Sequence, residues 1–238
     1  MPDETFYLDG IDARSVGIVL QGAIEFDEPV PDTETIQVPG RNGNLTIFSG
    51  SYENRAGIAN CYVLGKDVSN LTAKANNFLI CTQAYRRLET SNDPEHFWLA
   101  RISNGIRIDN RKNLLNPFDI EFDCKPQRFL KDGEYKLTYI LPSGKIFPNQ
   151  TAFNAKPLII VNGFGAGSVS VNGVKITIED IRGTVCIDCE SQNAYYGSEN
   201  RNKDIYAEEF PELPPGSCEY MFDGGVESIS VIPRWWTL

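Results

Sequence analysis

The single histidine, His96, is the only imidazole that the chain offers for acid–base or nucleophilic catalysis. Ser-His-Asp and Cys-His sites both need an imidazole that takes the proton from the nucleophile. His96 stands beside Phe97 and Trp98 at the start of a predicted strand, and the sequence holds no nucleophile-elbow pattern. We therefore predict that His96 is a surface or edge residue and has no catalytic role.

Two of the six cysteines, Cys186 and Cys189, form a CxxC motif. In thiol redox proteins such a pair opens a helix, whose N-terminus lowers the pKa of one thiol. The sequence around this motif alternates as a strand does, and residues three apart on a strand point to opposite faces. There is also no second CxxC and no downstream histidine to complete a zinc site. We predict reduced structural thiols, no metal site and no cofactor.

Residues 163–167, Gly-Phe-Gly-Ala-Gly, follow an apolar strand and are similar to a dinucleotide-binding loop. That loop needs a helix directly after it, because the helix N-terminus holds the pyrophosphate. Here an alternating strand pattern follows, and it ends at the turn Asn172-Gly173. These glycines are predicted to serve a tight connection between strands.

Carboxylates are abundant, so glycoside hydrolysis is the enzymatic alternative. It needs two carboxyl groups about 5–10 Å apart in a cleft. Asp188 with Glu190, and Asp119 with Glu121 and Asp123, have strand spacing, so each set shares one face. Such a face is typical of a solvated sheet. We predict no enzyme; a β-sandwich hydrolase would show turnover on a cell-wall polymer that depends on one of these carboxylates.

The charge balance argues against a protein that grips nucleic acid. The net charge is −10, whereas binding to phosphates requires clustered Lys and Arg. An acidic wall would instead let DNA slide past without adhering, although acidity also serves solubility. No apolar run approaches the roughly 20 residues of a membrane helix, and the acidic start lacks a secretory signal. We expect synthesis in a cytosol and no membrane partner.

The pattern along the chain predicts a mainly β fold with one helix. The first part begins with a hairpin around Asp9-Gly10, a strand over residues 16–20, an irregular acidic stretch over residues 25–34 and a hairpin over residues 36–48. An amphipathic helix over residues 71–88 follows, with Arg86 and Arg87 at its negative end. A strand over residues 96–102, a turn at Asn104-Gly105 into residues 106–108 and an alternating strand over residues 118–124 complete it.

A change of character after Cys124 predicts a domain junction near Lys136, within about ten residues. This divides the chain into domains 1–135 and 136–238. The second part has many short strand patterns, turn signals and almost no helix pattern. It therefore predicts a β-sandwich of the jelly-roll type.

The order of these patterns resembles the distal tail proteins of long-tailed phages that infect mostly Gram-positive hosts. The residues that carry the resemblance are 6–10, 16–18, the Val-Pro-Gly-Arg-Asn-Gly hairpin at 38–43, 156–163, 171–173, 187–190, the Pro-rich connector 210–216 and the ending Pro-Arg-Trp-Trp at 233–236. The resemblance spans nearly the whole chain. Cys218 departs from it, because the family often has an asparagine there.

The resemblance implies a fold and a task. Residues 1–135 would form a tail-tube-like β-barrel, the belt domain, with one flanking helix, and residues 136–238 a galectin-like β-sandwich. Six copies would form a ring at the virion tail tip. Its partners would be the tail tube protein, a tail-tip protein and the receptor-binding protein of the baseplate, with DNA passing through the centre without specific binding.

The hairpin over residues 36–48 is the candidate contact between subunits. Exposed strand edges can add to the sheet of a neighbour, and the alternative is an ordinary surface hairpin. The candidate residues are Ile36, Val38, Pro39, Gly40, Arg41, Asn42, Gly43, Leu45 and Ile47.

A carbohydrate-binding module for host cell-surface glycans is the main alternative function. Trp235, Trp236, Tyr195 and Tyr196 could stack on sugar rings. The two tryptophans follow a proline at the chain end, and we expect them to pack under the sandwich or against the first domain. Specific binding of a simple sugar would favour this alternative.

Overall fold

The computed structural model describes residues 4–64, 68–80, 83–106 and 117–238. Its strands, single described α-helix and three short 3-10 helices confirm the predicted mainly β fold. The chain forms two compact units. One runs to Arg128 and includes Leu238, and the other is Phe129–Thr237. The junction predicted near Lys136 lies shortly after this division.

The first unit is built around one antiparallel sheet. Its elements are β1 (Phe6–Leu8), β2 (Ile11–Asp12), β3 (Ile18–Leu20), β4 (Glu25–Phe26), β5 (Pro31–Ile36), β6 (Leu45–Tyr52), β7 (Arg55–Val63), α1 (Val68–Phe78), β8 (Arg86–Thr90), β9 (Asp93–Ile102) and most of β10 (Pro117–Leu130). The strand order is β2-β1-β8-β9-β10-β7-β3, and β4 also pairs with β7.

The first hairpin forms as its turn residues predict. Asp9 and Gly10 both have positive φ angles, 52° and 79°, which is the requirement of a type I′ turn. β1 and β2 then pair through Leu8 and Ile11. Phe6 and Leu8 face the core of the first unit.

The predicted helix over residues 71–88 is wrong at its C-terminal end. The helix ends at Phe78, and β8 begins at Arg86, because residues 86–90 pair with β1 on one side and with β9 on the other. The Arg86 guanidinium donates to the carbonyl of Phe78 at 2.8 Å. A cation thus reaches the negative end of the helix from a neighbouring strand.

The acidic stretch over residues 25–34, predicted as irregular, contains β4 and the start of β5. Pro31 is tolerated because it opens a strand of a two-stranded sheet, where its missing N–H costs no ladder hydrogen bond. The alternating strand near the junction is confirmed in β10, where Ile120, Phe122 and Cys124 are fully buried. The predicted strand after Asn104-Gly105 lies mostly outside the described residues.

The second unit is built around one antiparallel sheet, in which three strands have 14 or more residues. Its elements are β11 (Leu137–Tyr139), β12 (Ser143–Asn149), β13 (Leu158–Val171), β14 (Val174–Asp188), β15 (Asn193–Tyr196), β16 (Glu199–Asn200), β17 (Ile205–Ala207), β18 (Gly216–Ile232) and β19 (Trp236–Thr237). The order is β11-β18-β13-β14-β15-β16, with β12 on β18 and β17 on β14. The predicted Asn172-Gly173 turn joins β13 to β14.

The glycines over residues 163–167 lie inside β13, where they allow β18 to approach closely. A Cβ atom on Gly163 would lie 2.0 Å from the carbonyl oxygen of Gly225, and one on Gly225 would lie 1.9 Å from that of Phe164. The register between β13 and β18 shifts at this point. These glycines therefore serve the contact between two strands rather than a connection between them.

Candidate functional site

The hairpin β5–β6 forms a two-stranded sheet of its own. We call residues 31–52 the arm. Every residue of β5 and all but the last residue of β6 are exposed. An isolated two-stranded hairpin is marginally stable in water. The arm must therefore be stabilised by its attachment to the first unit and by whatever covers it.

The register of the arm gives it two different faces. Ile36 pairs with Leu45 and Glu34 pairs with Ile47, so these four side chains share one face. The other face carries Thr33, Thr35, Thr46 and Phe48. We call Ile36, Leu45 and Ile47 the apolar face; each exposes 36–44% of its surface. An exposed apolar face of this kind is typical of a protein contact site.

The tip of the arm is a turn that depends on glycine. Gly40 and Gly43 have φ angles of 80° and 82°, which side chains rarely adopt, and the Arg41 N–H donates to the Val38 carbonyl at 3.2 Å. The fold brings the nine predicted contact residues together on this one hairpin. They are Ile36, Val38, Pro39, Gly40, Arg41, Asn42, Gly43, Leu45 and Ile47.

The two strands of the arm differ in charge. β5 carries Asp32 and Glu34, whereas β6 has no charged residue. The hydroxyls of Ser49 and Ser51 both donate to the Asp32 carboxylate at 3.0 Å. Charge and proline hinder the pairing of a strand edge with another strand. The outer edge of β5 is therefore protected from such pairing, whereas the outer edge of β6 is open to it.

His96 is not the edge residue that the sequence predicts. It lies in β9, between β8 and β10, and only 15% of its side chain is exposed. Its Nδ1 lies 2.7 Å from the Asp93 carboxylate, which also accepts a hydrogen bond from Arg128. This arrangement joins β9 to β10.

The cysteines of the CxxC motif lie on opposite faces, as predicted. Cys189 is buried in the core of the second unit, whereas Cys186 is half-buried on the other side of the strand. Burial, together with the nearby Asp188 charge, raises the pKa of the Cys189 thiol to about 12. A thiol with this pKa stays protonated and is a poor nucleophile. Cys81 lies outside the described residues.

Asp188 pairs with the guanidinium of Arg234 and not with a second carboxylate. Burial alone would raise its pKa, but the Arg234 guanidinium binds both of its oxygens, at 2.7 and 3.0 Å, and lowers the pKa overall. Its Oδ1 also accepts the Glu190 N–H. Glu190 itself points to Lys156, at 3.8 Å. The ion pair between Asp188 and Arg234 therefore links the last residues of the chain to β14.

The tryptophans near the chain end pack within the second unit. Trp235 is buried, and Trp236 stacks on Phe153 with ring centroids 4.4 Å apart. The Trp236 indole N–H donates to the Asn154 carbonyl at 2.9 Å. Of the four aromatic residues considered for sugar binding, Tyr196 is the most exposed. This arrangement weakens the carbohydrate-binding alternative.

Metal and membrane sites were sought over the part of the chain that the structure describes. Within those residues there is no group of three His, Cys, Asp or Glu side chains placed to hold a metal ion. None of the described helices is long and apolar enough to cross a membrane.

Comparisons with known proteins agree with the resemblance that the sequence indicates. Residues 14–124 match a family model described as the phage tail protein RIFT-related domain. No curated protein matches. The crystal structure of the Dit protein (gp 19.1) of phage SPP1 covers 99% of this chain and 99% of its own, with a TM-score of 0.69 and 13% sequence identity.

Residues 14–124 are thus similar to a phage tail domain. Over its whole length, the chain has the fold of the SPP1 Dit protein. The predicted resemblance to the distal tail family is thus confirmed at the level of the fold.

Proposed function

We propose that the protein forms a ring of six copies that joins the tail tube to the host-adsorption apparatus. The observation that carries the proposal is the arm, whose apolar face has no cover within the described chain. The SPP1 protein is described as a paradigm of the hub adsorption apparatus in phages that infect Gram-positive bacteria. A hub needs a contact that repeats around a closed ring, and an exposed hairpin meets this need.

The arm is the proposed subunit contact. Its nine candidate residues, Ile36 to Ile47, would bury the apolar face against the next copy, and its open β6 edge offers unpaired backbone groups for strand addition. A contact between two different surfaces of neighbouring copies closes into a ring when its rotation permits. The arm thus supplies one half of such a contact.

We assign a different role to each part of the chain. Residues 1–135 would act as the belt domain, a tail-tube-like barrel that builds the ring and meets the tail tube protein. Residues 136–238 would form the galectin-like domain on the outside. The ring would also bind a tail-tip protein and the receptor-binding protein, at the tip of the virion tail after synthesis in the host cytoplasm.

The acidic character suits passage of DNA through the ring. A net charge of −10 on each copy would repel phosphate from the channel wall, so DNA would pass without adhering. This role requires neither a specific nucleic-acid contact nor a catalytic group. It also fits a structural tail protein rather than an enzyme.

Immunogold labelling of virions tests the location. Antibodies raised against the purified chain should label the far end of the tail, at the junction of tube and adsorption apparatus. Labelling of the capsid or of the whole length of the tail would contradict the proposal. A glycan array run on the same purified protein should show no specific sugar, and strong specific binding would favour the carbohydrate-binding alternative.

A further inference from the structure

The arm leaves the first unit through two short legs. The outgoing leg runs over residues 26–30 and the returning leg over residues 53–55. The Glu53 N–H donates to the Val30 carbonyl at 2.9 Å, which joins the legs where the arm begins. Each leg carries a side chain that is fixed to the main sheet, and the two sets of contacts differ in chemistry.

The outgoing leg is fixed by aromatic stacking. Phe26 in β4 pairs with Gly57 in β7, and its ring stacks on Trp98 with centroids 4.6 Å apart and planes 19° apart. The next residue, Asp27, donates its N–H to the Ala56 carbonyl at 2.9 Å. Trp98 is almost completely buried in the core of the first unit, so it gives the Phe26 ring a rigid support.

Arg55 completes this contact from the returning leg. The carbon at the centre of its guanidinium lies 5.1 Å from the centroid of Phe26 and 5.8 Å from that of Trp98. Among the described residues, neither the Arg55 Nε nor the Trp98 Nε1 has a hydrogen-bond partner. Stacking and cation–π attraction therefore hold the two legs at the main sheet. We call Phe26, Arg55 and Trp98 the aromatic anchor.

Gly57 makes room for the aromatic anchor. A Cβ atom at this position would lie 2.9 Å from Cε1 of Phe26 and 3.0 Å from its Cδ1. Any side chain would push the Phe26 ring away from the backbone of β7. The glycine at this strand position thus allows the flat approach of an aromatic ring.

The returning leg is also fixed by hydrogen bonds. The Asn54 amide donates to the Asp123 carboxylate at 2.8 Å and to the Tyr85 hydroxyl at 2.7 Å. The Tyr85 hydroxyl and the Arg101 guanidinium donate to the other Asp123 oxygen, at 3.3 and 2.7 Å. Asp123 lies in β10, inside the main sheet. We call Asn54, Tyr85 and Asp123 the amide anchor.

We propose that the aromatic anchor and the amide anchor are positioning sites that hold the arm in one direction for contact with a second copy. This inference rests on the proposed role of the arm in ring formation. Two separate attachments, one that joins both legs at Phe26 and Arg55 and one at Asn54 of the returning leg, stop a thin hairpin from swinging about its root. A contact surface held in its bound orientation loses less conformational entropy on association, so it binds at lower concentration.

A substitution in the amide anchor tests the positioning of the arm separately from the folding of the first unit. Asn54 is exposed and lies outside the hydrophobic core of the first unit. Loss of its amide frees the returning leg but leaves the main sheet intact. Asn104 offers a matched control, because its amide also bonds to β10, at the Asp119 carbonyl and the Glu121 N–H, away from the arm.

Spin-label distances in the full chain test the inference directly. One label is placed at the arm tip by Asn42→Cys and the other in the turn between β8 and β9 by Asn92→Cys. The chain without these two substitutions is the labelling control. Asn54→Ala and Phe26→Ala should broaden the distance distribution. Phe26→Tyr, which keeps the stacked ring, and Asn104→Ala should leave it narrow.

Ring formation is then followed by light scattering against protein concentration. Asn54→Ala should raise the concentration needed for assembly by about tenfold without changing the unfolding temperature, and Asn104→Ala should change neither. Unchanged distance distributions in both anchor variants, or broad distributions with unchanged assembly, would overturn the inference. Ile47→Asp, run in parallel, tests the contact itself. If Ile47→Asp weakens assembly and the anchor variants do not, the positioning role of the anchors is refuted. If Ile47→Asp has no effect on assembly, the proposed contact through the arm is refuted.

Discussion

The apolar face of the arm makes a prediction that separates assembly from folding. Ile47→Asp should weaken association between copies while the isolated chain unfolds at the same temperature. Ile47 is 44% exposed and belongs to the two-stranded sheet, so little core packing is lost in the single copy. Thr46→Asp is the matched control, because it places the same charge on the neighbouring position of the opposite face.

The size of the effect follows from the exposed fraction. Complete burial of such a side chain contributes about 1.5–3 kcal/mol, so covering the remaining 44% of Ile47 contributes about 1 kcal/mol. Ile47→Ala should therefore weaken each contact by about fivefold. Ile47→Asp also places a second carboxylate on this face, opposite Glu34, which should bring the loss to about 30-fold or more.

Light scattering over a range of concentrations measures the association, and thermal unfolding of the dilute chain measures the stability. Assembly of Ile47→Asp at the concentration of the unchanged protein would refute the role of the apolar face. Equal weakening by Thr46→Asp would show that added charge, rather than the face, controls assembly.

Two further predictions concern the second unit. Gly163→Ala should lower its free energy of unfolding by about 1–3 kcal/mol, because the new Cβ would meet the Gly225 carbonyl; chemical denaturation measures this, and an unchanged midpoint would contradict the close approach. The pKa of Asp188 is lowered in the folded state, so the Arg234 ion pair contributes stability above the usual carboxyl pKa of about 3.9, and this stability is lost as the pH falls through the lowered value. The unfolding temperature should therefore drop below about pH 4, and Asp188→Asn should be less stable at neutral pH and lose that part of the pH dependence.

Local chemistry explains what the sequence predicts well. Asp9-Gly10 and Asn172-Gly173 specify their turns because these residues accept positive φ angles. The alternation in β10 specifies its buried face. Distant pairing explains the errors. The helix pattern continues towards Leu88, but the contacts of β8 with β1 and β9 convert its last part into a strand.

The anchors of the arm could not be predicted from the sequence. Asn54 and Asp123 are 69 positions apart, and Phe26 meets Trp98 only because β4, β7, β10 and β9 lie side by side. No local spacing links such residues. The hairpin that carries the candidate contact residues could be predicted, because a glycine-rich turn between two apolar runs is a local signal.

The mass of the purified protein in solution, followed by negative-stain imaging, tests the central claim most directly. We expect six copies of the 26.6 kDa chain, about 160 kDa, seen as a ring with a central hole. A single copy at every concentration, both alone and mixed with the tail tube protein, would contradict the account.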